Sequence, residues 1–282
     1  MKLLIFGGTS ALCQVLKPHL LKYGEVRCAG RRDCDFVVDI TTSDFGKVID
    51  FCPDVVINLC SRLSVNTDVR FSDLLAANVV GSVRIAEFCR SIGVKHYIHF
   101  SSIYSELSAD SPFYSPYAFS KQVADEALSQ YANAYNLPTL LLRPGPIYGD
   151  SDRLLSFQPL LASIINSALD GRDIVLYGSS DATRFYIHSY DVCQIVCLAI
   201  RANLTGRFDV MPMASVSLTQ MASCAQSIAG AECKVVFDST KPDVCSLHVK
   251  YENDIYDVLD YRPMIDVCSG MRREVDRLRL AQ

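Results

Sequence analysis

The chain has no tryptophan, no long apolar run and no run of basic residues, although half of its 282 residues are hydrophobic. A membrane-spanning helix needs about 20 consecutive apolar residues, so none is expected. A net charge of −4 without a basic patch argues against a nucleic-acid partner. The N-terminus lacks the apolar stretch and the small-residue cleavage site of a signal peptide. We therefore expect a cytoplasmic globular protein.

The twelve cysteines contain no C-x-x-C pair, a frequent sign of a zinc or redox site. Cys193 and Cys197 are four residues apart on a predicted helix, but no histidine or second cysteine pair completes a metal set. No metal site is therefore expected. Many cysteines stand in apolar surroundings, where free thiols behave as small buried hydrophobic side chains. Without a secretion signal, a disulfide framework is not expected.

The N-terminus has the pattern of a strand, a glycine turn and a helix. Residues 2–6 form an apolar run, Gly7 opens the turn, and a helical pattern extends from Ala11 to about Tyr23. This order is typical of dinucleotide-binding domains, in which the helix N-terminus faces the pyrophosphate. Two later glycines of that fingerprint are missing, because Ser10 and Cys13 occupy their positions. The alternative is a plain strand-to-helix turn without a ligand.

The next predicted strand bears on the choice of dinucleotide. Residues 25–29 are followed by Gly30, where an acidic residue would hydrogen-bond the ribose of NAD, and then by Arg31 and Arg32. Guanidinium groups suit a 2′-phosphate, so NADP is favoured over NAD. A solvated arginine pair is the alternative. Asp39 ends the following strand and is expected to accept a hydrogen bond from the adenine.

Apolar strand-like runs alternate with helical patterns in the first half of the chain. The predicted strands are 2–6, 25–29, 36–40, 53–61, 96–100 and 139–143, with helices near 11–23, 42–51, 71–92 and 115–135. This alternation predicts an α/β fold with a Rossmann-type doubly wound parallel sheet. Residues 1–150 are predicted to form the dinucleotide-binding domain. Residues 151–282 are predicted to form a small C-terminal substrate-binding lobe, with short strands near 173–177, 185–188 and 207–210 and with about 188–202 packing back on the sheet.

Tyr117 and Lys121 are four residues apart, so they lie on one face of a helix. A phenol titrates near pH 10, and a neighbouring ammonium favours the phenolate, so Lys121 is expected to lower the pKa of Tyr117. Ser101 and Ser102 follow the strand at 96–100, at the sheet edge where ligands bind. Together these residues predict a proton-transfer device that interconverts an alcohol and a ketone. Alone, the Tyr-Lys spacing is a weak signal, because most chance matches are solvated helix surface.

In their order and spacing, these motifs and several others resemble the extended short-chain dehydrogenase/reductase family of NAD(P)-dependent sugar-nucleotide epimerases, dehydratases and reductases. The likeness covers nearly the whole chain. Its motifs are the Gly7 turn, Asp39-Ile40, Asn58-Leu59-Cys60-Ser61, Asn78-Val79-Val80-Gly81, Ser101-Ser102-Ile103-Tyr104, Tyr117 with Lys121, the segment 143–149, the segment 178–188 and Asp191-Val192.

The resemblance implies a role for each matching residue. Tyr117 would be the general acid/base and Lys121 its electrostatic partner and a ribose ligand. Ser102 matches the catalytic serine or threonine, with Ser101 as the alternative. The implied cofactor-binding residues are Gly7, Thr9, Ser10, Ala11, Leu12, Arg31, Arg32, Asp39, Ile40, Leu59, Cys60, Ser61, Asn78, Ser101, Tyr117, Lys121 and Pro144. The implied substrate-binding residues are Ser102, Ile103 and Arg184, of which Arg184 resembles the ligand of the nucleotide-sugar phosphate.

Departures from the family pattern narrow the expected reaction. Ile103 follows Ser102 directly, so the acidic segment that sugar 4,6-dehydratases need is missing. Phe185 replaces an aspartate, and Pro146 replaces an asparagine that can contact substrate. The sequence therefore predicts a reductase of a 4-keto-sugar nucleotide that uses NADPH. The alternatives are an NAD-dependent sugar-nucleotide 4-epimerase and a degenerate, non-catalytic nucleotide-binding member. The resemblance also implies a homodimer, formed through the helices near 71–92 and 115–135.

Overall fold

The computed structural model describes residues 1–42, 44–63, 69–230 and 233–280. The strands are β1 (Lys2–Phe6), β2 (Glu25–Gly30), β3 (Phe36–Val37), β4 (Val55–Asn58), β5 (His96–Phe100), β6 (Thr139–Pro144), β7 (Ile147–Tyr148), β8 (Ile174–Tyr177), β9 (Thr183–Arg184), β10 (Ile187–His188), β11 (Gly206–Val210), β12 (Val216–Ser217) and β13 (Val235–Asp238). The α-helices are α1 (Ala11–Leu20), α2 (Gly46–Ile49), α3 (Phe71–Leu75), α4 (Gly81–Ser91), α5 (Pro116–Tyr135), α6 (Asp152–Ser156), α7 (Pro159–Leu169), α8 (Ser189–Ala202), α9 (Leu218–Ala229), α10 (Asp254–Val258) and α11 (Val267–Leu280). Short 3₁₀ helices span Leu21–Tyr23 and Ile103–Glu106, and a π-helical segment spans Ala76–Val80.

The first of two compact units contains residues 1–144, 193–210 and 249–261. Its seven-stranded sheet has the order β11-β6-β5-β4-β1-β2-β3, and all its strand pairs are parallel. The carboxyl ends of the strands therefore lie at one edge, where Phe6 is in register with Asn58 and Asn58 with His99. The predicted doubly wound α/β fold is confirmed.

The central strands of this sheet are buried on both faces, as their apolar sequences predict. Every residue of β4, β5 and β6 is buried. On one face Phe6 makes edge-to-face ring contacts with Phe45 and Phe88, at centroid distances of 5.5 and 6.1 Å. Full burial of such a side chain contributes about 1.5–3 kcal/mol, so the sheet and its helices form one hydrophobic core.

Several elements differ from the prediction, and β4 and α2, for example, are shorter than the predicted 53–61 and 42–51. β3 is shorter than the strand predicted at 36–40, so Asp39 and Ile40 lie in the turn beyond it. The helix predicted at 71–92 is interrupted by the π-helical segment, in which Asn78 is fully buried. β11 pairs with β6 in the main sheet, whereas the strand predicted near 207–210 was assigned to the lobe.

The second unit contains the described residues of 145–192, 211–248 and 262–282. Three two-stranded sheets pair β7 with β10, β9 with β12 and β8 with β13. The core is formed by side chains from α7, α9 and α11, including Ile165, Met221 and Met271. The assignment of residues 151–282 to substrate binding stays a prediction, and residues 193–210 and 249–261 belong to the first unit.

A disulfide joins Cys224 on α9 to Cys268 on α11, with the two Cα atoms 5.6 Å apart. This bond runs against the sequence-based expectation that a disulfide framework is absent. The two cysteines are separated by 44 residues, and only the packing of the two helices brings them together. Ten further cysteines are free thiols, and six of them are buried.

No helix among the described residues is long and apolar enough to cross a membrane. The cytoplasmic location stays a prediction.

Candidate active site at the carboxyl edge of the sheet

Tyr117 and Lys121 lie in the first turns of α5. The helix begins after Ser115, whose hydroxyl accepts a hydrogen bond from the Ala118 amide at 3.3 Å, and Pro116 occupies its first position. The Lys121 side chain is 1% exposed, and its Nζ donates to the Phe100 carbonyl oxygen at 2.9 Å. Nζ lies 5.9 Å from the centroid of the Tyr117 ring. The lysine is thus anchored to the end of β5 beside the tyrosine.

Burial lowers the pKa of Lys121 to about 8, and the charge of Asp125 opposes this change. Asp125 lies one helical turn beyond Lys121, is 3% exposed, and accepts a hydrogen bond from the Ser105 hydroxyl at 2.9 Å. Burial raises the pKa of Asp125, while hydrogen bonds from Ser101 and Ser105 oppose the rise. Asp125 was not among the predicted site residues, although the sequence places it four residues after Lys121, on the same helix face.

The hydroxyls of Ser102 and Ser61 lie near the Tyr117 hydroxyl. Burial raises the pKa of Tyr117, and hydrogen bonding to these two serines counters part of that rise. The net pKa of Tyr117 is thus raised, whereas the sequence predicted a lowered value, because burial outweighs the groups that favour the phenolate. Tyr117 is therefore a protonated phenol at neutral pH in the structure.

Of the two serines after β5, Ser102 is the one that contacts the phenol. Its hydroxyl also accepts a hydrogen bond from the Tyr104 amide at 3.3 Å, which starts the 3₁₀ helix. Ser101 instead lies beside Asp125 and lowers the pKa of that carboxyl. The geometry favours Ser102 over Ser101 as the partner of Tyr117.

The turn after β1 requires glycine at its first position. Gly7 has φ +87°, and a Cβ there would lie 3.0 Å from the Cys60 amide nitrogen. The Gly7 and Gly8 amides donate to the Ala29 carbonyl oxygen at 2.9 and 3.1 Å, which ties the turn to β2. A backbone so close to its neighbours leaves the N-terminus of α1 open toward the sheet edge, as a dinucleotide phosphate needs.

Ser10 has a role that the glycine fingerprint does not suggest. Its hydroxyl accepts a hydrogen bond from the Cys13 amide at 3.2 Å and caps α1. Ser10 has extended backbone angles of −68° and 153°, so its side chain causes no backbone strain. Both non-glycine residues of the fingerprint are thus part of the start of this helix.

The residues predicted around the ribose and adenine follow β2 and β3. Arg31 and Arg32 are exposed directly after Gly30. The Asp39 carboxylate accepts hydrogen bonds from the amide and hydroxyl of Thr41 at 2.9 and 2.6 Å. These bonds, with the charge of Arg31 as a smaller cause, lower the pKa of Asp39. Asp39 is thus an anchored carboxylate near the Arg31 guanidinium group.

Asn78 connects the loop after β4 to α5. Its Oδ1 accepts from the Arg62 amide at 2.7 Å, and its Nδ2 donates to the Arg62 carbonyl at 3.0 Å and to the Ser120 hydroxyl at 2.9 Å. Ser120 in turn donates to the Tyr117 carbonyl at 2.7 Å. Asn78 therefore fixes the backbone that carries Tyr117.

A second buried polar group, Asn58 at the end of β4, was named only as part of a family motif and was given no role. The Asn58 amide contacts Ser82, Tyr97 and His99 at 3.2, 3.3 and 3.1 Å, and its Oδ1 accepts from the Cys60 amide at 2.9 Å. Burial and the charge of Lys121 hold the pKa of His99 well below its usual value, so this histidine is neutral. The network fixes the strand ends beneath the candidate site.

The remaining predicted residues of the first unit end or follow a strand at this edge. They are Thr9, Ala11 and Leu12 after β1, Ile40 after β3, Leu59 and Cys60 after β4, Ile103 after β5, and Pro144 at the end of β6. Ile103 is fully buried.

Arg184 belongs to the second unit, where it ends β9 and donates to the carbonyl oxygens of Thr183 and Cys245 at 2.9 and 2.5 Å. Its phosphate-binding role stays a prediction.

Comparison with known proteins identifies the family. Residues 3–210 match the NAD dependent epimerase/dehydratase family. The chain belongs to this family. Membership confirms the predicted family and enzyme class, and it confirms a nicotinamide dinucleotide as the cofactor class.

Individual relatives differ in how much of the chain they cover. A UDP-glucose 4-epimerase of Mycolicibacterium smegmatis is 27% identical over an alignment of 264 positions, which covers 86% of this chain and 81% of the relative. A dTDP-4-dehydro-6-deoxy-D-allose reductase of a Streptomyces species is 23% identical over 52% of this chain and 45% of its own.

Solved structures share the fold over the full length. The UDP-glucuronic acid 4-epimerase of Bacillus cereus in complex with NAD has a TM-score of 0.78 at 20% identity, covering 100% of this chain and 99% of its own. The UDP-glucose 4-epimerase of Thermus thermophilus in complex with NAD has a TM-score of 0.76 at 22% identity and covers 100% of both chains.

Proposed function

We propose that this protein is an NAD-dependent 4-epimerase of a nucleotide sugar. The observation that carries the proposal is the extent of the likeness to the Mycolicibacterium epimerase, which includes 86% of this chain and 81% of that enzyme. The reductase relatives, in contrast, match about half of the chain. The contact of Tyr117 with Ser102 beside the buried Lys121 supports proton transfer in this reaction.

In the proposed mechanism the Tyr117 oxygen moves the proton of the sugar 4-hydroxyl. NAD held at this edge would supply the acceptor and donor of the hydride of the sugar carbon. Ser102 and Ser61 lie beside the phenol and orient it. Lys121, held by the Phe100 carbonyl, places a positive charge beside the ring and stabilises the phenolate as it forms. Asn78 and Ser120 hold the backbone of Tyr117 during the cycle.

The dinucleotide is proposed to lie along the edge formed by Gly7, Ser10, Asp39 and Asn78, with its pyrophosphate at the N-terminus of α1. Gly7 supports this placement, because a Cβ there would lie 3.0 Å from the Cys60 amide nitrogen.

The NADPH-dependent reductase of a 4-keto-sugar nucleotide is the second candidate. The exposed Arg31 and Arg32 after Gly30 favour it, because guanidinium groups suit a 2′-phosphate. An epimerase returns the hydride and consumes no reduced cofactor, whereas a reductase consumes NADPH. The two functions are therefore separable in one assay.

The test incubates the purified protein with UDP-glucose or UDP-glucuronic acid and NAD, and follows the sugar by chromatography. We expect conversion to the 4-epimer without net formation of NADH. Tyr117→Phe is expected to lower kcat by about 10²–10⁴-fold with NAD affinity nearly unchanged, because only the proton donor is removed. Tyr114→Phe, which removes a nearby phenol outside the site, is the control.

Consumption of NADPH with a 4-keto-sugar nucleotide, without epimerisation, would support the reductase. Failure to bind either dinucleotide would support a non-catalytic member. Full activity of the Tyr117→Phe protein would contradict the proton-transfer role of this residue.

We further propose that the protein forms a homodimer through α3, α4 and α5. Phe71, Val80 and Phe119 are 49, 53 and 37% exposed, and the two phenylalanine rings lie 5.9 Å apart. Light scattering is expected to give twice the chain mass of 31.3 kDa. Phe71→Glu is expected to shift the protein toward the monomer, whereas Phe157→Glu, which alters an exposed phenylalanine of the second unit, leaves the mass unchanged. A wild-type monomer would contradict the proposal.

A further inference from the structure

Three cysteines surround the turn that follows β1. Cys13 lies on α1, Cys28 on β2 and Cys34 in the loop after β2. The sulfur atoms of Cys13 and Cys28 are in contact at 3.8 Å, with the two residues 1 and 5% exposed. Neither the proposed mechanism nor the fold requires thiols at these positions.

The sulfur cluster packs directly against the proposed phosphate-binding turn. A Cβ placed on Gly8 would lie 2.6 Å from Cys28 Cβ and 2.7 Å from Cys34 Sγ. A Cβ on Gly30 would lie 2.9 Å from the same Cys34 sulfur. The Cys13 amide also donates a hydrogen bond to the Ser10 hydroxyl that caps α1. A shift of these cysteines therefore moves the turn and the first turn of α1 together.

The surroundings favour a reactive thiolate in this pair. The hydrogen bond with Cys13 lowers the pKa of Cys28 to about 7, with a further contribution from the Lys17 ammonium, while burial opposes the change. The same hydrogen bond and burial raise the pKa of Cys13. In the reaction proposed below, Cys28 acts as the nucleophile and Cys13 as the resolving thiol.

We propose that Cys13 and Cys28 form a reversible disulfide on exposure to peroxide, and that this disulfide weakens dinucleotide binding at the adjoining turn. The effect on binding rests on the proposed function, whereas disulfide formation does not.

The chemistry balances with one peroxide per pair. The Cys28 thiolate attacks a peroxide oxygen, the O–O bond breaks, and hydroxide leaves to give a sulfenic acid. The Cys13 sulfur then attacks the Cys28 sulfur, the S–O bond breaks, and the oxygen leaves as water with the thiol proton. Two thiols lose two electrons in total, and one peroxide is reduced to two waters.

Formation of the disulfide requires the two sulfur atoms to move closer together. A disulfide has a sulfur–sulfur length of about 2.05 Å, so the present 3.8 Å must shrink by nearly half. β2 is held in the sheet by β1, and therefore α1 and its capped N-terminus take up most of the displacement. Amides aimed at a phosphate lose binding when their geometry changes by this amount.

The first experiment maps the linkage. The reduced full-length protein is treated with hydrogen peroxide, free thiols are alkylated, and a non-reducing digest is analysed by mass spectrometry. We expect a Cys13 peptide joined to a Cys28 peptide, absent from Cys13→Ala and from Cys28→Ala. Cys89→Ala, which removes a buried free thiol of the same unit, is the matched control and retains the linkage.

The second experiment measures NADH affinity by fluorescence in the reduced, the oxidised and the re-reduced protein. We expect about a tenfold weaker Kd on oxidation, restored by dithiothreitol, and no change in Cys13→Ala. If Cys13→Ala does not fold, Cys28→Ala gives the same comparison.

Two results would overturn the inference. Alkylation of both Cys13 and Cys28 after peroxide treatment, or a linkage of either one to a different cysteine, removes the proposed site. A Cys13–Cys28 linkage with an unchanged Kd for NADH would show that the disulfide does not control dinucleotide binding. If the reduced protein binds no dinucleotide, the proposed function fails, and the peptide map alone still decides whether the disulfide forms.

Discussion

At the scale of single residues, the charge of Asp125 favours the protonated form of Lys121. Burial lowers the pKa of Lys121 to about 8, and the Asp125 charge acts against this. Because the ammonium is lost as the pH rises through this pKa, kcat/KM is expected to fall above about pH 8. Asp125→Asn keeps a hydrogen-bonding side chain but removes the charge, so the alkaline fall should move to lower pH. A pH–rate profile of the two proteins measures the shift.

Glu126→Gln is the matched control for this prediction. Glu126 is the adjacent carboxylate, but it is exposed and accepts a hydrogen bond from Gln130 at 2.9 Å. Its loss should leave the pH profile in place, since an exposed charge is screened by solvent. An alkaline limb that stays unchanged in Asp125→Asn would show that Asp125 does not set the charge of Lys121.

At this scale, the positions of side chains were predictable from the sequence where local spacing determines which of them are neighbours. Tyr117 and Lys121 share a helix face, and Ser102 follows a buried strand, so both positions follow from local rules. The direction of the Tyr117 pKa did not, because it depends on desolvation by the folded chain. The contact between Asn58 and His99 was not predicted for a similar reason, because strands distant in sequence bring the two residues together.

At the scale of elements, Ser10 stabilises the start of α1. Ser10→Ala removes the cap on the Cys13 amide and is expected to lower the free energy of unfolding by about 1 kcal/mol. Ser10→Gly should cost only a few tenths of that, since glycine is tolerated at this position. Urea denaturation of the variants measures both values. Equal losses in the alanine and glycine proteins would contradict a capping role for the hydroxyl.

The strands were predicted well where the hydrophobic pattern is strong, and less well where pairing with another strand determines their extent or position. β1 and β5 have the predicted bounds, because their apolar runs are continuous. β3 is two residues long, since only Phe36 and Val37 pair with β2. The position of β11 beside β6 depends on a contact across more than 60 residues, which no local pattern contains.

At the scale of the whole molecule, the disulfide between Cys224 and Cys268 contributes to the stability of the second unit. It closes a loop across 44 residues, and such cross-links typically contribute about 2–4 kcal/mol by restricting the unfolded chain. Cys224→Ser is expected to lower the melting temperature measured without reductant and to remove its response to dithiothreitol. Cys245→Ser, an exposed free thiol of the same unit, is the control. A melting temperature of the wild type that is insensitive to dithiothreitol would contradict the contribution.

The order of strands in the main sheet also has a consequence for synthesis on the ribosome. β6 lies between β5 and β11, and all its residues, Thr139–Pro144, are buried. Until residue 210 has emerged, β6 is an unprotected apolar edge, which is the kind of strand that recruits other chains. A nascent chain or a fragment that stops near residue 150 therefore exposes β6 as an aggregation-prone edge strand. The shortest segment that closes the sheet must extend through Val210.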